Sequence, residues 1–376
     1  MCRSNSWRWC NLKKEVVLSS FQFSILIILF VLGSSVLFLP AMLTGIAKQD
    51  ASFSVIIGSI SGVLIAYFYA HFGRYFHNKS YIEAIKDTFG SKIGVFFVLF
   101  TFSYLIFLCS ILIWDIGDFI ITQILPGTPI QSIYILFLIV VVYVTRLGIE
   151  TLARTAEIFL PWVFLLFLIL IILLFPELEW SNALPIFENG IKPSLYGAYY
   201  MIGFPFLELF TLLMFTPYIK SKDKLSNTFL IGVTVGSVAL IILTAYCVLI
   251  LGPGITTRQE YPIYVLGKKI SLGNFLERLE IIVAIMWFIS IFFKLTLTFY
   301  ALCLGISQFL NLKSYKVVTI PSAIFFFVIT LILIPNSVYI KEYSKYTNTP
   351  YIITVGLIIP ALVYITALLK QKFKSP

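Results

Sequence analysis

Stretches of about twenty consecutive apolar residues recur from one end of this chain to the other, and that recurrence limits its fold more than any other feature. Each stretch is long enough to cross a bilayer as a helix. In hydrocarbon every backbone N–H and C=O must be satisfied within the chain, so only helices or a closed barrel remain. The ten-residue alternating strands of an outer-membrane barrel are absent, which leaves an all-α, polytopic membrane protein. Of the 376 residues, 60% are hydrophobic and 12% charged, about half the charge of a soluble domain.

Ten spans are predicted, at 21–45, 51–70, 93–124, 130–145, 155–175, 195–217, 228–251, 272–307, 318–336 and 351–370. The longest gaps, 71–92, 176–194 and 252–271, are too short to hold a soluble domain. The chain therefore reads as one integral membrane domain over 1–376, surrounded by lipid. Residues 1–20 form a first tail, 21–175 a first set of five helices, 195–370 a second set, and 371–376 a second tail.

The net charge of +10 does not point to nucleic acid, because its distribution is topological. With the N-terminus inside, the inner segments hold eighteen Lys and Arg and the outer loops seven. That bias predicts both termini to be cytoplasmic. The basic first twenty residues lead into an apolar run without a small-residue cleavage site, so the first helix is expected to be retained. The five cysteines lack metal-ligand spacing, no phosphate-binding glycine loop or paired His motif occurs, and no nucleophile and base stand together. No metal, no cofactor and no enzyme activity are expected.

Two spans are interrupted. Span 1 contains GSSVLFLP at 33–40, and span 6 contains YYMIGFPFLELF at 199–210, with Gly203 and Pro205 in mid-segment. Five is an odd number, so a second set of five helices enters from the opposite side, as in an inverted repeat. Spans 1 and 6 then correspond, and both are broken at the same level. A break frees N–H groups on one half-helix and carbonyls on the other. Lipid does not tolerate such groups, so they belong around a protein-lined cavity. The N-terminal end of a half-helix favours a carboxylate, and free carbonyls favour a cation. Facing breaks thus predict a midplane site for a small zwitterion, built from Gly33, Ser34, Ser35 and Val36 and from Gly203, Phe204 and Pro205. Glu208, three residues past the second break, is placed to hold a ligand amine, a cation or a proton.

GSSVLFLP resembles the first-helix glycine–serine–glycine signature of amino acid–polyamine–organocation transporters, with Ser35 in place of the second glycine. Ser35 narrows the space beside the backbone and adds a hydroxyl. Over nearly the whole chain, GSSVLFLP, ARTAEIFLP (153–161), LPIFENGIKPSLYG (184–197) and NFLERLEIIVAIMWFISIFFK (274–294) resemble the spore germination permease family. These are the B subunits of nutrient germinant receptors in endospore-forming bacteria. The resemblance implies a LeuT-like fold of two inverted five-helix repeats, with helices 1 and 6 unwound mid-membrane. It implies sensing of a small germinant, most often an amino acid, beside an A-type membrane subunit and a C-type lipoprotein in the spore inner membrane. It also implies that Tyr104, a polar aromatic of the third span, lines the pocket.

Ionisable residues inside a span are costly and mark function by default. Asp115 and Asp118 share a face late in span 3, either as functional groups or as interfacial residues facing outer water. Glu277, Glu280 and Lys294 fall near one stripe of span 8 and are grouped as a coupling network. Lys294 lies about 21 Å along the helix from Glu280, so it either takes a partner from another span or snorkels inward. Arg154 and Glu157 form a local pair or tie to a neighbouring loop. Three functions stay open: a receptor subunit, a proton- or cation-coupled amino acid transporter, and a water or ion conduit.

Overall fold

The structure, a computed structural model, describes residues 17–269 and 279–372. Among these residues nine helical segments are long and apolar enough to cross a membrane, and Ser20–Leu32 is a shorter apolar helix. One of the nine, Ser35–Tyr75, has 41 residues. At 1.5 Å per residue it is about 60 Å long, roughly twice the hydrocarbon thickness. A turn at Lys48–Asp50 divides it into α2 (Ser35–Ala47) and α3 (Ala51–Tyr75). Together with α1 (Ser20–Leu32), α2 makes the broken first span, so the ten predicted spans are accounted for.

Helix α1 starts at a capping box, in which Ser19 and Gln22 each bond the other's backbone N–H. Every residue from Phe23 to Leu32 is buried. A helix that is apolar all round belongs in the interior of a bundle. It lies against α6 (Ile149–Leu174), α8 (Leu225–Arg258) and α10 (Glu280–Phe309). The α3 helix packs on α7 (Lys192–Met201) and α8. The outer helices show the opposite pattern. Only 17% of the apolar window in Ile149–Glu177 is buried, against 83% in Lys192–Met214. Ile158, Trp162, Leu165 and Ile172 of α6 project outward, where acyl chains would cover them.

Glycines let these helices approach closely, as is usual where lipid supplies no hydrophobic drive between helices. A Cβ added at Gly62 would lie 2.6 Å from the Phe206 ring, and one at Gly58 would lie 2.7 Å from Met201 Sδ. Gly62→Leu is expected to lower stability by about 1–3 kcal/mol or more through overpacking. Thermal unfolding in detergent measures this loss, and an unchanged Tm would contradict the packing described.

Several boundaries differ from those read in the sequence. The third span begins at Tyr81, on the predicted inner side, within α4 (Tyr81–Phe119), and bends at Gly90, whose φ is 75°. The α8 helix runs on to Arg258 after a kink at Gly252, φ 71°, because Pro253 next to it suits the first turn of a helix. A short helix α9 (Pro262–Lys269) follows, and predicted span 8 is described from Leu279 onward. The stretch 337–350, expected as an outer loop, is helical from Ser337. It widens at Ser344–Asn348 before continuing towards α14 (Ile359–Lys372). Between these lie α11 (Lys316–Leu333), α12 (Ser337–Tyr343) and α13 (Thr349–Ile352); the fourth span is α5 (Ile130–Leu147).

On the predicted outer side, the 184–190 segment is tied down. Asp50 accepts from the Phe187 N–H at 3.0 Å, and Gln49 donates to the Pro185 carbonyl at 2.8 Å. On the predicted inner side, the Leu18 N–H donates to the Tyr218 carbonyl at 2.8 Å and the Lys220 N–H to the Leu18 carbonyl at 3.0 Å. Gln22 donates to Glu157 at 3.1 Å, while Arg154 pairs with Glu150 at 2.5 Å. Arg154 and Glu157 are thus not partners: Glu150 lies one turn before Arg154 on its own helix, and Glu157 turns to α1.

Candidate functional site

The first break falls between α1 and α2. The α1 helix ends at Leu32, the Gly33 N–H closes its last turn onto Leu29, and α2 begins at Ser35. In span 6 the helix leaves regular geometry at Phe204 (φ −128°, ψ 109°), followed by Pro205, and resumes as a tight helix over Leu207–Met214. Proline removes a donor and clashes with the preceding turn, so this residue pair ends α7 where it does.

Lys294 reaches in between the two breaks. Its Nζ lies 2.6 Å from a Glu208 oxygen and donates to Ser34 Oγ at 3.0 Å. Both charged side chains are buried, Lys294 at 0% exposure and Glu208 at 2%. The Phe204 and Phe30 rings flank the ammonium, with centroids 4.8 and 5.3 Å away. The second Glu208 oxygen accepts from the Tyr104 hydroxyl at 3.4 Å, and that hydroxyl also reaches Asn348 Oδ1 at 3.4 Å. Five spans therefore meet in one polar network within an apolar core.

Gly33 makes room for it. A Cβ at that position would collide with Lys294 Cδ and sit 3.0 Å from its Cβ. The glycine of GSSVLFLP is thus where the lysine stem crosses the broken helix.

A cavity of about 410 Å³ opens beside the network. It runs from Ser34, Phe204 and Glu208 towards Thr257–Glu260 and Ile340–Lys345, on the side assigned to the exterior by loop charge. Of the residues singled out from the sequence, Ser34, Asp115, Phe204 and Glu208 line it. Tyr104 stands behind Glu208 and outside the lining. Ser35 is fully buried, and its hydroxyl has no hydrogen-bond partner among the described residues. Val36 faces a second, apolar cavity of about 250 Å³, shared with Leu32, Val163 and Met286. Gly203 backs onto Thr349 and Ile352. Glu280 is buried at the start of α10, about four turns from Lys294, where Gly267 of α9 packs on its backbone. Glu277 lies outside the described residues.

The cavity also uses residues the sequence reading did not single out. Lys345 and Asn348 line it from the widened turn before α13, and Thr349 from the start of α13. Such wide turns often mark functional sites, but this one sits in a polar stretch that reads as a loop. Phe38 and Trp114 supply aromatic walls.

The sequence of residues 17–338 matches a family model described as spore germination protein. This chain belongs to that family. Relatives include spore germination protein KB of Bacillus subtilis (strain 168), 26% identical over 93% of this chain and 94% of the relative. Spore germination protein A2 of the same organism is 23% identical over 95% and 97%. Solved structures that resemble it share the LeuT-like transporter fold. MhsT in complex with L-phenylalanine superposes with TM-score 0.66 at 15% identity, covering 94% of this chain and 99% of MhsT. Mhp1, a nucleobase-cation-symport-1 family transporter with bromovinylhydantoin bound, gives TM-score 0.71 at 12% identity, covering 94% and 78%.

The germination family and the LeuT-like fold together make this a multi-pass membrane protein with a germinant receptor-like or transporter role, and its family is not an enzyme class. The two inverted five-helix repeats with broken helices 1 and 6 are the architecture expected from the sequence.

Proposed function

We propose that this chain is the permease-like subunit of a nutrient germinant receptor and binds a small germinant, an amino acid above all, in the 410 Å³ cavity beside the two breaks. One observation carries the reading. The cavity ends on a buried polar network made by both broken spans, apolar and aromatic side chains wall its sides, and charged residues stand at Asp115 and along its far end at Arg258, Glu260, Lys341 and Lys345. Occupancy would shift the population between open and occluded states, and an A-type membrane subunit and a C-type lipoprotein would read that shift. The location that goes with this role is the spore inner membrane, with both termini cytoplasmic. MhsT with L-phenylalanine and Mhp1 with bromovinylhydantoin bound each hold a small molecule, which supports ligand binding in this fold.

A proton- or cation-coupled amino acid transporter is the second reading. Lys294 favours it, because a buried ammonium between the breaks is placed where a coupling charge is useful.

Purified protein is tested against an amino acid panel by thermal unfolding, since a ligand that binds only the native state raises Tm. Wild type is expected to respond to at least one amino acid. Ala41→Trp, which fills the cavity from α2 without touching the charged network, is expected to abolish the response. Equal responses from both proteins would move the site elsewhere. Uptake in reconstituted vesicles then separates receptor from transporter: binding without accumulation supports the receptor.

A further inference from the structure

The carboxylates around the cavity are not equivalent. Glu208 is committed to Lys294 and Tyr104. Asp118 accepts from the Tyr261 hydroxyl at 2.5 Å. Glu260 pairs with Lys341 at 3.3 Å. Asp115 differs from all three. It is 3% exposed and lines the cavity. No hydrogen bond or salt bridge reaches its carboxylate from the described residues.

A buried carboxylate without a partner is costly, so this position rewards an occupant that brings its own donors and positive charge. The walls nearby fit such an occupant. Phe38, Leu112 and Trp114 offer apolar and aromatic surface for its body. The outer end of the cavity has the opposite sign. Arg258 and Lys345 line it in addition to the Glu260–Lys341 pair, so the entrance favours a molecule that also carries an anionic group.

We propose that Asp115 is the ammonium-binding residue of the cavity and that the ligand is a zwitterion with a free amine. This rests on reading the cavity as the germinant site. It moves the ligand amine from Glu208, where the sequence placed it, to a carboxylate that no lysine among the described residues pairs with directly. Glu208 and Lys294 then form the floor of the site.

The test uses the full chain in detergent and follows thermal unfolding with L-alanine, L-leucine and L-phenylalanine, each beside its N-acetyl derivative. Free amino acids are expected to raise the Tm of wild type and the N-acetyl compounds to have no effect. Asp115→Asn should need at least tenfold more amino acid for the same shift, while Asp118→Asn responds as wild type does. Asp115→Glu, which keeps the charge, should retain part of the response. An Asp115→Asn protein with a wild-type response, while Ala41→Trp stays silent, would overturn the role of Asp115 and leave the cavity as the germinant site. Equal shifts from the N-acetyl compounds would overturn it as well. Silence of wild type towards all three amino acids would overturn the ammonium ligand, and a response to inosine or glucose instead would remove the amino acid reading with it.

Discussion

Lys294→Met is expected to destabilise the protein by about 3–5 kcal/mol, the usual cost of leaving one charge of a buried pair uncompensated. Glu208 is 2% exposed, and after the substitution the Tyr104 hydroxyl is the one hydrogen-bond donor left beside it among the described residues. Glu208→Met should cost a similar amount, because the Lys294 ammonium would keep only Ser34 Oγ and two aromatic faces. The double variant Glu208→Met with Lys294→Met should recover most of the loss. Two apolar side chains of similar length then fill the same space, and buried pairs often exchange for such residues at little cost. Denaturant unfolding of the four proteins in one detergent gives the coupling energy directly. Additive single losses would mean that the two charges do not depend on each other.

The second large effect is expected at Gly33. Alanine there overlaps the Lys294 stem, and the stem has no slack because its Cβ is also only 3.0 Å away. The lysine must retreat or α1 must shift. Either movement separates Nζ from Glu208 and Ser34. Gly33→Ala should therefore lose about 1–3 kcal/mol by overpacking and also lose ligand response. Combined with Lys294→Ala, which removes the colliding Cδ and leaves only the 3.0 Å contact with Cβ, Gly33→Ala should cost less than it does alone. Thermal unfolding of the pair checks this, and a Gly33→Ala penalty unchanged in the Lys294→Ala background would place the strain elsewhere.

The span pattern was legible because bilayer thickness leaves little freedom in helix length. The breaks at Gly33–Ser34 and Gly203–Pro205 were legible because few residues tolerate such backbone in lipid. Lys294 could be seen to need a partner, and Glu208 had been singled out on its own. Their pairing could not be read, because it depends on how spans 6 and 8 pack. Side-chain direction past a break was lost for a different reason. Each residue turns a helix by about 100°, so an uncertainty of one residue in the break re-aims everything after it. Ser34 faces the cavity, while Val36, two residues on, faces an apolar groove on another side. Tyr104 was expected in the lining and instead braces Glu208 from behind. Lys345 and Asn348 were hidden in a stretch whose polar composition suits a loop, although it is a distorted helix.

The backbone pairing of Leu18 with Tyr218 and Lys220 has a mechanical consequence. Leu18 leads into the first broken span, and Tyr218 follows the second. Two hydrogen bonds clamp these ends together at the predicted inner face, so the lower arms of both spans are carried as one piece. Relative motion of their upper arms must then be absorbed at Gly33 and Phe204, where the backbone is already irregular. The chain is hinged at mid-height and latched at its base, and opening the base requires both latch bonds to release together.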